Sequence, residues 1–339
     1  VEDKWFYVDG QFLDEGKTER ECVKIAIREA QKAGYRDLDD IIKEKGKIKS
    51  AYDPTCGTGG ILSSAEDFIK RYYPHITLEL YGQELMDESY AIAKADMLLK
   101  GYDEENIRLG NTLTDDKFPN KKFHYIFANP PYGTSWSNDS KIVTEEYETK
   151  GFNGRFGAGL PRTSDGSLLF LQHMVSKMKP EGSRIGVVLN GSPLFTGDAG
   201  SGESNIRKWL LEQDLVEAII ALPTELFYNT GIATYIWVLD NTKTQERKGK
   251  IQLIDATSYC QRMKKALGSK RNEITSEQIS EIISLYEDFE DNGETSKIYP
   301  NEEFLYKKIT VERPLRPSYY VNEENITALT ENANYLKMA

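Results

Sequence analysis

The sequence predicts an α/β fold built on a doubly wound, mostly parallel sheet, and three observations carry that prediction. Short β-branched or apolar runs alternate with segments of helical spacing from about residue 47 to about residue 256. A glycine-rich stretch, Asp53-Pro54-Thr55-Cys56-Gly57-Thr58-Gly59-Gly60, stands where one strand hands over to a helix. Acidic or amide residues recur at the predicted strand ends (Asp53, Glu84, Asn111, Asn129), the edge along which such sheets bind ligands.

The elements follow in order. A short strand ends at Asp53, and residues 60–73 have helical spacing. Residues 76–81 read as a strand and 88–100 as a helix closed by Gly101, a residue free to take the left-handed stop conformation. Residues 106–109 and 123–128 are two further strands. Residues 168–179 form an amphipathic helix stopped by Pro180, and 184–189 a β-branched strand. A helix over 203–213 precedes strands at 216–222 and 234–239, with 251–254 as an edge strand. Residues 134–165 break the rhythm: polar, rich in Gly, Ser and Asn, and carrying Lys141, Lys150, Arg155 and Arg162, they read as a long functional loop with some mobility. Beyond 256 the chain turns strongly charged, with a helix over 277–289. The predicted organisation is a helical lead-in at 1–46, a sheet domain at 47–256 and a charged, mainly helical appendage at 257–339.

Composition narrows the function. A chain of 339 residues, 39% hydrophobic and 29% charged, can bury a substantial core, and its longest apolar runs, 185–189 and 218–222, are too short to span a bilayer. Cys22, Cys56 and Cys260 lie far apart, with no C-x-x-C pair and no cluster with the histidines, which argues against a zinc site or a disulfide framework and fits a reducing cytoplasm. With Val1 first and no signal pattern, the sequence reads as a fragment or processed chain. A net charge of −11 disfavours unaided gripping of nucleic-acid phosphates, so any such role needs a local basic patch or a basic partner.

The strand ends suggest chemistry. In the turn 53–60, Gly57, Gly59 and Gly60 let the backbone approach a ligand, and the helix start offers free N–H groups. An acid at the strand end suits an amine or ammonium better than a phosphate, and neither a P-loop lysine nor G-x-G-x-x-G spacing is present. Taken alone, the turn is equally well a simple tight connection. Glu84, in Tyr81-Gly82-Gln83-Glu84, stands where an acid bonds ribose hydroxyls in dinucleotide folds, or else is a solvated residue opening a loop. Asn111, in Gly110-Asn111-Thr112-Leu113, suits an adenine edge or ordinary turn chemistry. The run Ile126 to Gly133, "IFANPPYG", is the most specific. Two prolines force a stiff exit from the sheet, so the Asn129 amide and the Pro130 carbonyl become fixed acceptors for a planar exocyclic amine, and Tyr132 offers a face for its ring.

With these motifs in this order, the chain resembles the N6-adenine DNA methyltransferases of the γ arrangement, whose S-adenosylmethionine (SAM) motif precedes an Asn-Pro-Pro-aromatic motif. More narrowly, it resembles the modification (M) subunit of type I restriction–modification systems. The likeness covers "AYDPTCGTGGIL" (51–62), "YGQEL" (81–85), "GNTL" (110–113), "FANPPYG" (127–133) and "DGSLLFLQHMVSKMKPEG" (165–182). It continues through "RIGVVLNGSPLF" (184–195), "IRKWLLEQDLVEAIIALPTELFYNTGIATYIWVL" (206–239) and "ITVERPLR" (309–316). The resemblance implies a Rossmann-like SAM-dependent methyltransferase sheet. It implies that Asp53 and the backbone of Thr55, Gly57, Thr58, Gly59 and Gly60 cradle the methionine part of SAM. Glu84 would then bond the ribose and Asn111 the cofactor adenine. Asn129, Pro131 and Phe170 would lie beside the cofactor, Phe170 being equally a core aromatic. Gln11, Phe12, Leu13 and Thr18, in "GQFLDEGKTERE" (10–21), match the family's N-terminal SAM-contacting stretch, Phe12 being equally a core aromatic, although Asp14 to Lys17 interrupt it and Glu19 replaces a proline. Asn111 likewise stands where the family often has an acid. Phe227 or Tyr228, before Asn229-Thr230-Gly231, would wall the base pocket opposite Tyr132. Asn129, Pro130, Pro131 and Tyr132 form the implied catalytic set, acting by direct methyl transfer without a covalent intermediate.

Implied partners are duplex DNA with a flipped adenine, a specificity (S) subunit that reads the target, a second M subunit and, in the full complex, a restriction (R) subunit, with no membrane. Two rivals are a protein glutamine N-methyltransferase, whose planar amide suits the same Asn-Pro-Pro-Tyr site, and a non-catalytic assembly subunit. The segments matched after Gly182 favour the DNA enzyme over the first, and intact Asn129, Pro130 and Tyr132 disfavour the second.

Overall fold

In the computed structural model, which describes residues 48–228, 230–313, 321–332 and 336–337, the central strands bury both faces. Within Tyr125–Ala128, Ile126 and Ala128 enter one core while Tyr125 and Phe127 pack against another. Such two-sided burial suits a parallel sheet with helices on each face. The strands are β1 (Ile48–Asp53), β2 (Thr77–Glu84), β3 (Ile107–Leu109), β4 (Tyr125–Ala128), β5 (Arg184–Asn190), β6 (Val216–Ala221), β7 (Thr234–Asp240) and β8 (Lys250–Asp255). A separate hairpin, β9 (Gln261–Leu267) and β10 (Lys270–Glu273), follows, and β11 (Ser296–Pro300) returns to the main sheet. Its order is β11-β8-β6-β7-β5-β4-β1-β2-β3. β7 and β11 run antiparallel to their neighbours, and the other strands of the sheet share one direction. The doubly wound, mostly parallel sheet is therefore as predicted.

The helices are α1 (Gly60–Tyr72), α2 (Asp87–Leu99), α3 (Ser140–Lys150), α4 (Ser167–Ser176), α5 (Ser192–Phe195), α6 (Gly202–Glu212), α7 (Ser276–Asp288) and α8 (Glu323–Thr330). On one face, Leu62 of α1 and Ala93 and Met97 of α2 pack on Ala51, Leu78, Leu80 and Ile107. On the other, Leu168, Leu171 and Met174 of α4 and Ile206 and Leu210 of α6 meet Ile126, Ile185, Val187, Leu189 and Trp237. Each such buried side chain is worth about 1.5–3 kcal/mol, against at most ~1 kcal/mol for an exposed ion pair, so these two cores rather than the surface charges hold the sheet domain together.

The structure departs from the sequence reading at several places. β2 runs past the predicted end at Tyr81 through Gly82 and Gln83, and Glu84 stands at the strand end as expected. Residues 134–165 are not a bare loop: α3 lies within them, and Trp136, Val143 and Phe156 bury themselves with Leu113 and Leu169 in a small core of their own. Those apolar residues are too widely spaced to show any period. β8 is not an edge strand, because β11 pairs with it along Ser296↔Ile254 to Pro300↔Lys250. The polar look of both strands is deceptive, since Gln252 and Ser296 are buried and bonded to each other at 3.0 Å. Beyond 256, the expected helix is α7, capped by a reciprocal Thr275–Gln278 box, but two strands of the hairpin and β11 accompany it. The first compact unit closes at Leu305, and the second, Tyr306–Ala339, carries α8 with Asn322 as its cap. The lead-in predicted at 1–46 lies outside the described residues.

Candidate functional site

Four neighbouring strands, in the order β3-β2-β1-β4, run parallel, so their carboxyl ends open on one edge. Asp53 ends β1, Glu84 ends β2, Gly110-Asn111 follow β3, and Asn129-Pro130-Pro131-Tyr132 follow β4. Adjacent strands lie about 4.8 Å apart, which gathers four loops into one site.

The first loop is shaped by its glycines. Gly57 (φ 54°) and Gly59 (φ 84°) occupy the left-handed region, and a Cβ on Gly59 would stand 3.0 Å from the Met97 methyl. A Cβ on Gly57 or Gly60 would meet nothing within 4 Å, so the turn is open on its outer side; Thr58 is likewise exposed. Glu84 ties the loops together, accepting from the Gly57 N–H through one carboxylate oxygen and from the Met86 N–H through the other, both at 2.8 Å. The Thr112 hydroxyl donates to the Pro54 carbonyl at 2.5 Å, joining the third loop to the first. Asp53 is buried and accepts on Oδ1 from the Thr55 N–H at 2.9 Å and the Thr55 hydroxyl at 3.4 Å. Burial pushes its carboxyl up to about 7 although both Thr55 bonds pull the other way, and the charge of Glu84 adds to the push. Cys56, packed beneath Gly82, is buried, and that burial drives its thiol up, away from a reactive thiolate.

At the fourth loop, Asn129 and Pro131 are exposed, Pro130 is buried and Tyr132 is half-buried. The Asn129 amide is therefore directed away from the core. Its Oδ1 accepts from the Tyr132 hydroxyl, and burial pushes that phenol up to about 12. Of the aromatic pair in the loop after β6, Phe227 meets Tyr132 edge-on, with ring centroids 6.4 Å apart and 74° between planes. Tyr228 is 63% exposed and lies under Lys270 instead. The Asn111 side chain accepts from the Leu113 N–H at 2.9 Å and donates to Asp139 at 3.0 Å. Phe170 packs against the small core under residues 134–165. Gln11, Phe12, Leu13, Thr18 and Asn229 lie outside the described residues.

Sequence reading missed two groups. Leu85 and Met86, directly after Glu84, are 60% and 59% exposed, an apolar pair at the rim of a polar site. The second group is a chain of polar side chains running from the half-buried Glu146 and Arg155 to the buried His173 and Tyr52. Arg155 donates to both oxygens of Glu146, at 3.1 and 2.6 Å, and to the carbonyls of Thr112 at 2.7 Å and Leu113 at 2.8 Å. It also stands 3.2 Å from His173 Nδ1. A guanidinium only donates, so His173 accepts there and carries its proton on Nε2, toward the Tyr52 hydroxyl 3.2 Å away. Burial, then the charge of Arg155, holds His173 well below its ordinary value and keeps it neutral. The chain thus runs from the 134–165 segment to Tyr52, the residue before Asp53, and fastens the backbone just after Asn111. Arg155 was noticed in the sequence only as one of four loop cations, and no spacing marks its partners.

Comparisons with known proteins point to one family. The family described as N-6 DNA Methylase matches residues 37–326. The chain is similar to the type I restriction enzyme MjaIX methylase subunit of Methanocaldococcus jannaschii, 30% identical over 281 residues, covering 83% of this chain and 48% of that one. It is also similar to the type I restriction enzyme HindI methylase subunit of Haemophilus influenzae, 28% identical over 264 residues, covering 77% of this chain and 55% of the relative. The crystal structure of the type I restriction-modification system methyltransferase subunit from Streptococcus thermophilus superposes with a TM-score of 0.62 at 30% identity, covering 75% of this chain and 51% of that one. The chain spans about half the length of the curated relatives it matches.

Proposed function

Since this chain belongs to the N-6 DNA methylase family, we propose that it is the modification subunit of a type I restriction–modification complex, moving the methyl group of SAM to N6 of an adenine flipped out of duplex DNA. Its partners in this reading are a specificity subunit, a second modification subunit and a restriction subunit, in the cytoplasm. One observation carries the reading: the exposed Asn129 amide, held by two prolines, stands beside a ring and one strand away from the open glycine turn.

The residues present fit the cofactor. Asp53 is a buried carboxyl whose charged form a cationic ligand would favour, the open side of Gly57 and Gly60 admits a ligand, and both Glu84 oxygens keep lone pairs after accepting one N–H each. Asn111 would take the purine's polar edge, and the exposed side chains of Leu85 and Met86 would offer apolar cover to its ring. When bound, SAM supplies a methyl group on a positively charged sulfur. The chain's own residues then hold the acceptor. Asn129 Oδ1 and the Pro130 carbonyl take the two N–H bonds of the adenine amine, which directs the nitrogen lone pair outward. The Tyr132 hydroxyl leaves Asn129 by a bond rotation as the amine arrives. Extruding a base costs a few kcal/mol, and a stacking ring returns about 1–3 kcal/mol of it.

The test is methyl transfer by the full chain together with its specificity subunit, using labelled SAM and adenine-containing duplex. Label should be recovered as N6-methyladenine. Asn129→Ala should slow transfer about 10²-fold, far more than it changes SAM affinity, the scale of losing one charge-directing contact. Tyr132→Phe keeps the ring and should stay within a few-fold of wild type, whereas Tyr132→Ala should lose roughly ten- to a hundredfold. Label appearing only on protein, or an undiminished Asn129→Ala, overturns the assignment.

A further inference from the structure

We propose that the β9–β10 hairpin grips the DNA backbone beside the base pocket, an inference that rests on the pocket being an adenine site. Residues 261–273 hold five cations, Arg262, Lys264, Lys265, Lys270 and Arg271, against the single carboxylate of Glu273, in a chain whose net charge is −11. Among the described residues both strands pair only with each other, and nearly all of β9 is exposed. An isolated two-stranded ribbon is marginal in water, so something else must fix this one.

The fixing element is the loop that carries Phe227. Ser269 N–H donates to the Tyr228 carbonyl at 2.8 Å, and the Arg271 and Asn272 N–H groups donate to the Glu225 carbonyl at 2.9 and 3.1 Å. The Asn272 side chain adds a bond to the Thr224 carbonyl at 3.0 Å. At the hairpin tip, Gly268 (φ +61°) approaches so closely that a Cβ would stand 2.5 Å from the Tyr228 carbonyl oxygen. Arg262 and Arg271 spend their charge on Glu225, at 3.5 and 3.4 Å. The remaining cations are differently placed. Among the described residues Lys264 and Lys265 have no ion-pair partner, and Lys270 lies 5.5 Å from the centre of the exposed Tyr228 ring. Two arginines thus anchor the hairpin while three lysines stay available, at a position tied through Phe227 to Tyr132.

A polyanion is the partner that fits. Protein interfaces centre on apolar and aromatic residues with charge depleted, which the lysine-rich β9 does not offer. Duplex DNA presents a phosphate about every 1.7 Å of its axis, and backbone contacts set register without reading sequence, as a subunit that leaves target choice to a partner requires. The hairpin also answers the charge problem: an acidic protein handles DNA through one local basic ribbon.

The experiment uses the full chain assembled with its specificity subunit and the triple change Lys264→Gln, Lys265→Gln and Lys270→Gln. All three side chains lie outside the cofactor site, so SAM affinity and co-migration of the subunits should be unchanged. Duplex affinity at about 0.1 M salt should weaken at least tenfold, and the slope of log K against log salt should become shallower by about two to three, one for each phosphate that no longer meets a lysine. An unchanged salt slope overturns the proposal, and if subunit assembly is lost at that unchanged slope the hairpin docks protein instead. A variant with weakened DNA binding whose wild type methylates adenine supports it. A wild-type complex that neither binds duplex nor methylates adenine removes the functional reading itself, a result distinct from failure of the hairpin alone.

Discussion

Asp53→Asn is expected to yield a more stable protein that binds SAM far more weakly. Burial raises the Asp53 carboxyl from its ordinary 3.8 to about 7, so the folded state binds this proton more tightly than the unfolded chain does. The stability linked to that proton is fully present below about pH 3.8 and is lost as pH rises through about 7. Above that, a bare carboxylate sits in a buried site, and at about 1.4 kcal/mol per pKa unit the shift sets a ceiling near 4 kcal/mol on what its charge costs. Asn keeps an oxygen for the Thr55 N–H and hydroxyl and carries no charge. We expect a gain of about 1–3 kcal/mol in denaturant unfolding at pH 8, shrinking to nothing near pH 4. SAM affinity should fall by about 30- to 1000-fold, the scale of removing one partner of a desolvated charge pair. Wild-type binding should itself weaken below about pH 7 and release a proton in that range, readable by calorimetry in buffers of different ionisation heat. Equal stabilities at pH 8, or wild-type SAM affinity in the variant, would show that Asp53 is an ordinary structural acid.

The residues of this candidate site were legible because a parallel sheet turns local signals into a spatial arrangement. Asp53, Glu84, Asn111 and Asn129 each follow a recognisable strand, and the topology alone places them along one edge. What was not legible depends on long-range pairs. Tyr52 and His173 are 121 positions apart, and neither has a neighbour that hints at the other. β8 and β11 pair through buried Gln252 and Ser296, which read as surface residues when taken singly. The apolar residues of 134–165 are few and irregularly spaced, so composition hid a folded segment as a loop. Phe227 and Tyr228 are adjacent in sequence and equivalent as motif letters. Only the hairpin clasping the Tyr228 carbonyl distinguishes the ring that faces Tyr132 from the one that faces solvent.

Arg155→Met is expected to cost about 3–5 kcal/mol of stability, because it strands a carboxylate in a site that leaves Glu146 only 11% exposed. Burial opposes charge on Glu146, yet the Arg155 bonds outweigh it and hold the carboxyl below its ordinary value. In wild type this carboxylate therefore contributes stability above its ordinary value of 4.5, lost as pH falls through the lower folded value. In the variant the side-chain bonds and charge of Arg155 are gone while the N–H of residue 155, 2.8 Å from the carboxylate, and the charge of Lys150 remain, so the carboxylate loses most of its stabilisation and the gap between the two proteins should narrow in acid. A structural defect and a positioning defect separate in the double variant Arg155→Met, Glu146→Gln. With both charges gone, most of the lost stability should return, since a missing pair costs far less than half of one. The Thr112 and Leu113 carbonyls still lack their donor, so the backbone after Asn111 remains loose and SAM should bind about tenfold more weakly, with KM raised more than kcat is lowered. Full recovery of SAM affinity in the stable double variant would mean that Arg155 serves only the packing of residues 134–165.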